Sequence, residues 1–228
     1  MQRLQTELDE LGYDSVAMDV PVDDPTKDLN DYGQAVADSL AGRDNLVGIF
    51  HSRAGNYGPR AVNLLNDPRT GEGPFRQMIF LAASFEPQTL QAFGPLEAHH
   101  TTIPRHSPAS RAAIVRRPDL GPDMTEFDRS RAVQFLYHDV SDHKLVVEAI
   151  RHLRPQRRPV VEPTLDRWPR IPQDYIVCTE DRMVRPDWSR LAAREFLGVD
   201  PYILPGGHSP FLSRPRDLAR MLAFLAVK

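Results

Sequence analysis

Short apolar runs alternate with stretches of helical periodicity along this chain. Residues 15–20, 46–50, 78–83, 174–179 and 201–204 are each long enough for one strand and too short for a helix. Between them, residues 2–11, 28–40, 54–65, 186–197 and 215–226 repeat apolar side chains three and four apart, as one buried helix face requires. Leu29, Tyr32, Val36 and Leu40 form such a face, and Pro59 is expected to kink the 54–65 helix. Strands that alternate with helices in this way build a parallel sheet, because crossover helices cover both of its faces. The predicted class is therefore α/β. Residues 84–172 break the rhythm: they hold 11 of the 21 prolines, with helical periodicity near 130–137 and 143–153. This stretch reads as a helical cap inserted above the sheet. It leaves residues 1–83 and 173–228 as the core.

The run Leu46-Val47-Gly48-Ile49-Phe50-His51 stops at Ser52, and Arg53, Ala54 and Gly55 follow. A serine on a sharp strand-to-helix turn projects its hydroxyl above the end of a parallel sheet, and the helix N-terminus behind it offers N–H groups to an oxyanion. The usual spacing for such a turn is Gly-x-Ser-x-Gly. Here Phe50 and Ala54 stand at the two glycine positions. Alone, a serine at a strand end reads first as a plain helix cap.

Two further strand ends carry partners for it. Tyr175-Ile176-Val177-Cys178-Thr179 runs into Glu180 and Asp181, and Leu204-Pro205-Gly206-Gly207 runs into His208. Ser52, Asp181 and His208 each follow the C-terminal end of a predicted parallel strand, the edge where open α/β sheets place their sites. Histidine is the natural base for a serine, since an imidazole ordinarily titrates near neutrality. A carboxylate behind it would orient the ring. Glu180 competes with Asp181 for that role, and only one of two successive side chains is expected to reach the ring.

Those residues, in the order Ser…Asp…His, resemble the α/β-hydrolase superfamily. More narrowly, the 175–181 stretch, Gly207-His208, Ser213 to Leu218, Phe135-Leu136-Tyr137-His138-Asp139 and Leu153-Arg154-Pro155 resemble the branch of plant-type methylesterases and hydroxynitrile lyases and their bacterial relatives. The resemblance implies an α/β-hydrolase fold and hydrolysis of a small ester through Ser52, His208 and Asp181, with no cofactor or metal. The lyases carry a lysine directly after the histidine; Ser209 stands there in this chain, which favours ester hydrolysis over cyanohydrin cleavage. A non-catalytic protein holding a small apolar ligand on the same fold is the alternative from another class.

The resemblance also implies a strand and a His-Gly type loop ahead of the first helix, and it places roughly 20–30 residues before Met1. On that expectation the chain is a truncated or late-started form, or a diverged and catalytically weak one. The 46–50 strand must then pair with the 15–20 strand or leave backbone groups open. Arg53 supplies the obvious oxyanion N–H, and a lost second donor costs about 2.7–4 kcal/mol. The Arg53 side chain would either contact an acidic substrate or face solvent.

Composition narrows the partners. A net charge of −3 gives no footprint for nucleic acid, and no apolar run has the length of a membrane span. A single cysteine, Cys178, fits a reducing, cytoplasmic setting and reads as a core residue. A small-molecule substrate and a monomer or homodimer are expected. His99, His100 and His106 lack the carboxylate or cysteine companions of a metal site. His51 is expected to point away from Ser52 in a structural role. His138, Asp139 and His143 read as cap packing and helix capping, Trp168 and Trp188 as packing. Arg151, Arg154, Arg157 and Arg158 read as a solvated face.

Overall fold

A computed structural model describes residues 1–93, 103–115, 126–154, 156 and 162–228. The side chains of 112–115, 126 and 127 are outside that description. The chain forms α1 (Gln2–Glu10), α2 (Leu29–Ser39), β1 (Leu46–His51), α3 (Ala54–Leu65) and β2 (Phe75–Leu81). Next come α4 (Pro87–Leu90), a 3-10 turn (Gln91–Phe93), α5 (Pro108–Val115), α6 (Glu126–Leu136) and α7 (His143–Arg151). The chain closes with β3 (Gln173–Cys178), α8 (Pro186–Glu195), β4 (Tyr202–Leu204), α9 (Pro210–Ser213) and α10 (Pro215–Ala226).

The four strands form one parallel sheet in the order β1-β2-β3-β4. Its side chains divide by the period of two that a pleated strand imposes. Ile79, Leu81, Ile176 and Cys178 join Leu4 and Leu8 of α1 and Leu218, Leu222 and Leu225 of α10 on one face. Met78, Phe80, Tyr175 and Val177 join α2, α3 and α8 on the other. Each such fully buried apolar side chain contributes about 1.5–3 kcal/mol. Helix α2 begins with a capping box, in which the Asp28 side chain accepts from the Asn30 and Asp31 N–H groups and Asp31 accepts from the Asp28 N–H. Helix α3 runs unbroken through Pro59.

Residues 15–20 do not form the expected strand. They carry no regular structure and no ladder, and β1 pairs with β2 alone among the described residues. Side chains take the carbonyls that a ladder would use. Gln5 Nε2 donates to Ser15 O at 3.2 Å, and Arg154 Nη2 donates to Val20 O at 2.8 Å. Val16 is exposed, so the run presents no second apolar face to bury. Strand β1 is thus an edge strand among the described residues, and its Ile49 side chain is exposed.

Residues 84–172 add helices and no strand among the described residues. Helices α6 and α7 overlap the two expected there, with Asp142 capping α7 through the Lys144 and Leu145 N–H groups. The short α4 and α5 each start at a proline, which suits a helical first turn, and were not expected from periodicity.

Candidate active site

The β1 ladder ends with the Ser52 N–H donating to Leu81 O at 3.1 Å, and α3 begins two residues later. Between them Ser52 takes a φ of 55°, a left-handed backbone that a non-glycine residue adopts at a cost. The turn is braced: Ser84 N–H donates to Ser52 O at 2.9 Å, and the Asn56 side chain ties Arg53 O, Ser84 O and the Glu86 N–H together. Phe50, at the first glycine position of the turn, fits because its ring lies where a Cβ on Gly58 of α3 would otherwise be. A glycine four residues past the expected pattern thus makes room for the bulky residue.

His208 and Asp181 meet Ser52 from the ends of β4 and β3. His208 Nε2 lies 3.0 Å from Ser52 Oγ, and His208 Nδ1 lies 2.8 Å from Asp181 Oδ2. With the Nδ1–H donating to the carboxylate, Nε2 is left as acceptor for the serine O–H. Asp181 Oδ1 accepts from the Met183 and Val184 N–H groups at 2.7 and 3.0 Å, which fixes the carboxylate. Asp181 and His208 are both buried. Glu180, the competing acid, is exposed, and it is Asp181 that meets the ring.

Arg53 occupies neither of the two places expected for its side chain. It is buried, with Nη2 2.5 Å from Glu162 Oε1, Nε 3.6 Å from Glu86 Oε1 and its guanidinium over the Tyr32 ring. Glu162 Oε2 accepts from the Leu29 N–H at the start of α2, so the pair also satisfies an open helix end. The side chain is therefore structural. The Arg53 backbone N–H has no acceptor among the described residues and remains the first amide behind Ser52.

His51, next to Ser52, packs on His208. Its ring centroid is 4.7 Å from that of His208, and its Nε2–H donates to His208 O at 2.7 Å. His106 is half-buried and its Nδ1–H donates to Met183 O, beside the backbone that holds Asp181. Burial draws its pKa down to about 4. His99, His100, Arg157 and Arg158 lie outside the described residues. Cys178 is buried and burial pushes its thiol up, which suits a core residue. Trp168 and Trp188 pack around Phe85, as expected.

A family profile described as the alpha/beta hydrolase family matches residues 3–221. The chain belongs to the alpha/beta hydrolase family. Esterases among its structural neighbours accord with a hydrolase. Polyneuridine aldehyde esterase superposes with a TM-score of 0.71 at 15% identity, over 99% of this chain and 92% of that one. Methylesterase MES16 from Arabidopsis gives 0.67 at 19% identity, again over 99% and 92%. An extracellular alpha/beta-hydrolase from a Paenibacillus species gives 0.67 at 14%, over 98% and 91%. These neighbours include plant methylesterases and bacterial relatives, and at such identities they speak for the fold. No curated protein matches the chain significantly by sequence. No helix among the described residues is long and apolar enough to cross a membrane.

Proposed function

We propose that this alpha/beta hydrolase cleaves a small carboxylic ester through an acyl-enzyme on Ser52. The observation that carries the reading is the continuous hydrogen-bonded line from Ser52 Oγ through His208 to Asp181. His208 Nε2 takes the serine proton as Oγ attacks the ester carbonyl. Asp181 holds the ring in the required tautomer and stabilises the imidazolium that forms. The Arg53 N–H, at the start of α3, donates to the oxyanion. His208 then returns the proton to the departing alcohol. A water activated by the same nitrogen hydrolyses the acyl group and frees Ser52.

Ser209, directly after His208, is buried and precedes α9. It offers no cation to a departing cyanide, which supports hydrolysis over lyase chemistry. Residues 84–172 serve as the cap over the core of residues 1–83 and 173–228. The partner is a small molecule met by a monomer or homodimer. A cytoplasmic location accords with a single, buried thiol.

Intact mass after treatment with a fluorophosphonate probe tests the reading. One adduct is expected on the parent and none on Ser52→Ala. A folded parent that takes up no probe, or equal labelling of both proteins, overturns it.

A further inference from the structure

Asp181 and His208 arrive on separate loops, and their alignment depends on how those loops sit against each other. The loops touch directly through the Glu180 N–H, which donates to Gly206 O at 2.9 Å. Two consecutive side chains between α6 and α7 add a second tie. The His138 Nε2–H donates to Glu180 O at 3.0 Å, and Asp139 Oδ2 accepts from the Gly207 N–H at 2.7 Å. Glu180 immediately precedes Asp181, and Gly207 immediately precedes His208. The pair thus grips each loop one residue upstream of the side chain that matters.

The fit is close. Gly206 has a φ of 111°, open to glycine, and a Cβ there would lie 2.8 Å from Asp139 Oδ2. A Cβ on Gly207 would lie 2.7 Å from both Asp139 Oδ1 and His138 Nε2. Both glycines before His208 therefore serve the approach of this pair. Among the described residues, Asp139 Oδ1 is buried without a hydrogen-bond partner.

We infer that His138 and Asp139 are positioning residues that set the loop of Asp181 against the loop of His208, with Asp139 fixing His208. The inference rests on the proposed role of those two residues in catalysis. It makes the segment between α6 and α7 a determinant of reactivity at Ser52, although neither side chain contacts Ser52 or lies on the line of three. A displacement of reacting groups by about 1 Å can cost on the order of 10²-fold in rate.

The test pairs two readouts on Asp139→Ala and Asp139→Asn. The first is the rate of fluorophosphonate labelling per folded protein, measured well below the melting temperature. The second is the NMR resonance of the His208 Nδ1 proton in protein labelled with 15N-histidine, assigned by its loss in His208→Gln. Asp139→Ala should label about 10- to 100-fold more slowly and shift or broaden that resonance. Asp139→Asn keeps an acceptor for the Gly207 N–H and should recover most of both. A purely structural role would lower melting temperature in Asp139→Ala and leave the labelling rate of the folded fraction unchanged. If Asp139→Ala does not fold, His138→Ala carries the same two readouts from the acid's loop.

Unchanged rate and resonance in the folded variant overturn the inference. If the parent fails to label but the resonance responds to Asp139→Ala and recovers in Asp139→Asn, the catalytic reading falls and the positioning role stands. If the parent labels and neither readout responds to Asp139→Ala, the positioning role alone falls.

Discussion

The turn that carries Ser52 and the loops that carry Asp181 and His208 are built in different ways. Near Ser52 much of the support is close in sequence: β1 ends in it, α3 starts from it, and Gly58 makes room for Phe50. The other two loops depend on distant side chains. His138 reaches Glu180, Asp139 reaches Gly207, His106 reaches Met183 and His51 reaches His208 O. The Ser52 turn draws its strand and helix from its own neighbourhood and its bracing from Ser84 and Glu162. Loops held from elsewhere respond to whatever moves the segments that hold them.

The comparison can be broken most sharply at Asp181. Asp181→Asn should keep the fold and lower esterase turnover by about 10⁴-fold, because the ring loses its required tautomer. Turnover within tenfold of the parent would show that Asp181 is not the group that orients His208. A Glu180→Gln control should stay near the parent, since that side chain is exposed.

The largest effect on the Ser52 side should come from Arg53, whose charge lies buried between Glu86 and Glu162. Arg53→Met leaves those carboxylates without their cation and should cost about 3–5 kcal/mol of stability in urea unfolding. Adding Glu162→Gln should recover part of that loss. If the single variant unfolds at the parent midpoint, the ion pair does not secure this turn.

A smaller effect is expected at Gly58. Gly58→Ala places a methyl into the Phe50 ring and should destabilise by about 1–3 kcal/mol, with Phe50→Leu in the same chain restoring part of it. An unaltered melting temperature in Gly58→Ala would mean that Phe50 is not packed against α3.

An effect on the pH slope of stability, one that vanishes near neutral pH, concerns His106. The unfolded chain binds its proton near a pH of about 6.5, whereas burial lowers the folded value to about 4. Between those values the unfolded state holds more protons, so stability rises with pH. Its contribution is complete above about 6.5 and is lost as the pH falls towards 4. His106→Gln should flatten this part of the stability profile. Identical slopes in parent and variant would show that the ring is not held neutral beside the acid's loop.

Much of this was legible in the residues. Five of the helical periods correspond to α1, α2, α3, α8 and α10, and four of the five apolar runs to the strands. The fifth run, 15–20, resembled a strand because it is a short apolar stretch of strand length, yet Gln5 and Arg154 occupy carbonyls that a ladder needs. Pairing is a long-range event, and six residues do not declare whether a partner edge will be free. Ser52, Asp181 and His208 stood out because each ends a strand. His138 and Asp139 were marked by the resemblance but read as packing and capping residues, because nothing in their neighbourhood distinguishes a capping residue from one that reaches another loop.

The sequence by itself determined the alternation, the side chains that enter each face of the sheet and the order of serine, acid and histidine. These follow from periods of two and 3.6 and from apolar burial, which act over a few residues. The tertiary structure alone decided that Asp181 and not Glu180 meets His208, that Arg53 turns inward to Glu162, and that Asp139 holds Gly207. Those outcomes join residues tens to more than a hundred positions apart. Their direction is set by how packed elements converge, a quantity that no local pattern encodes.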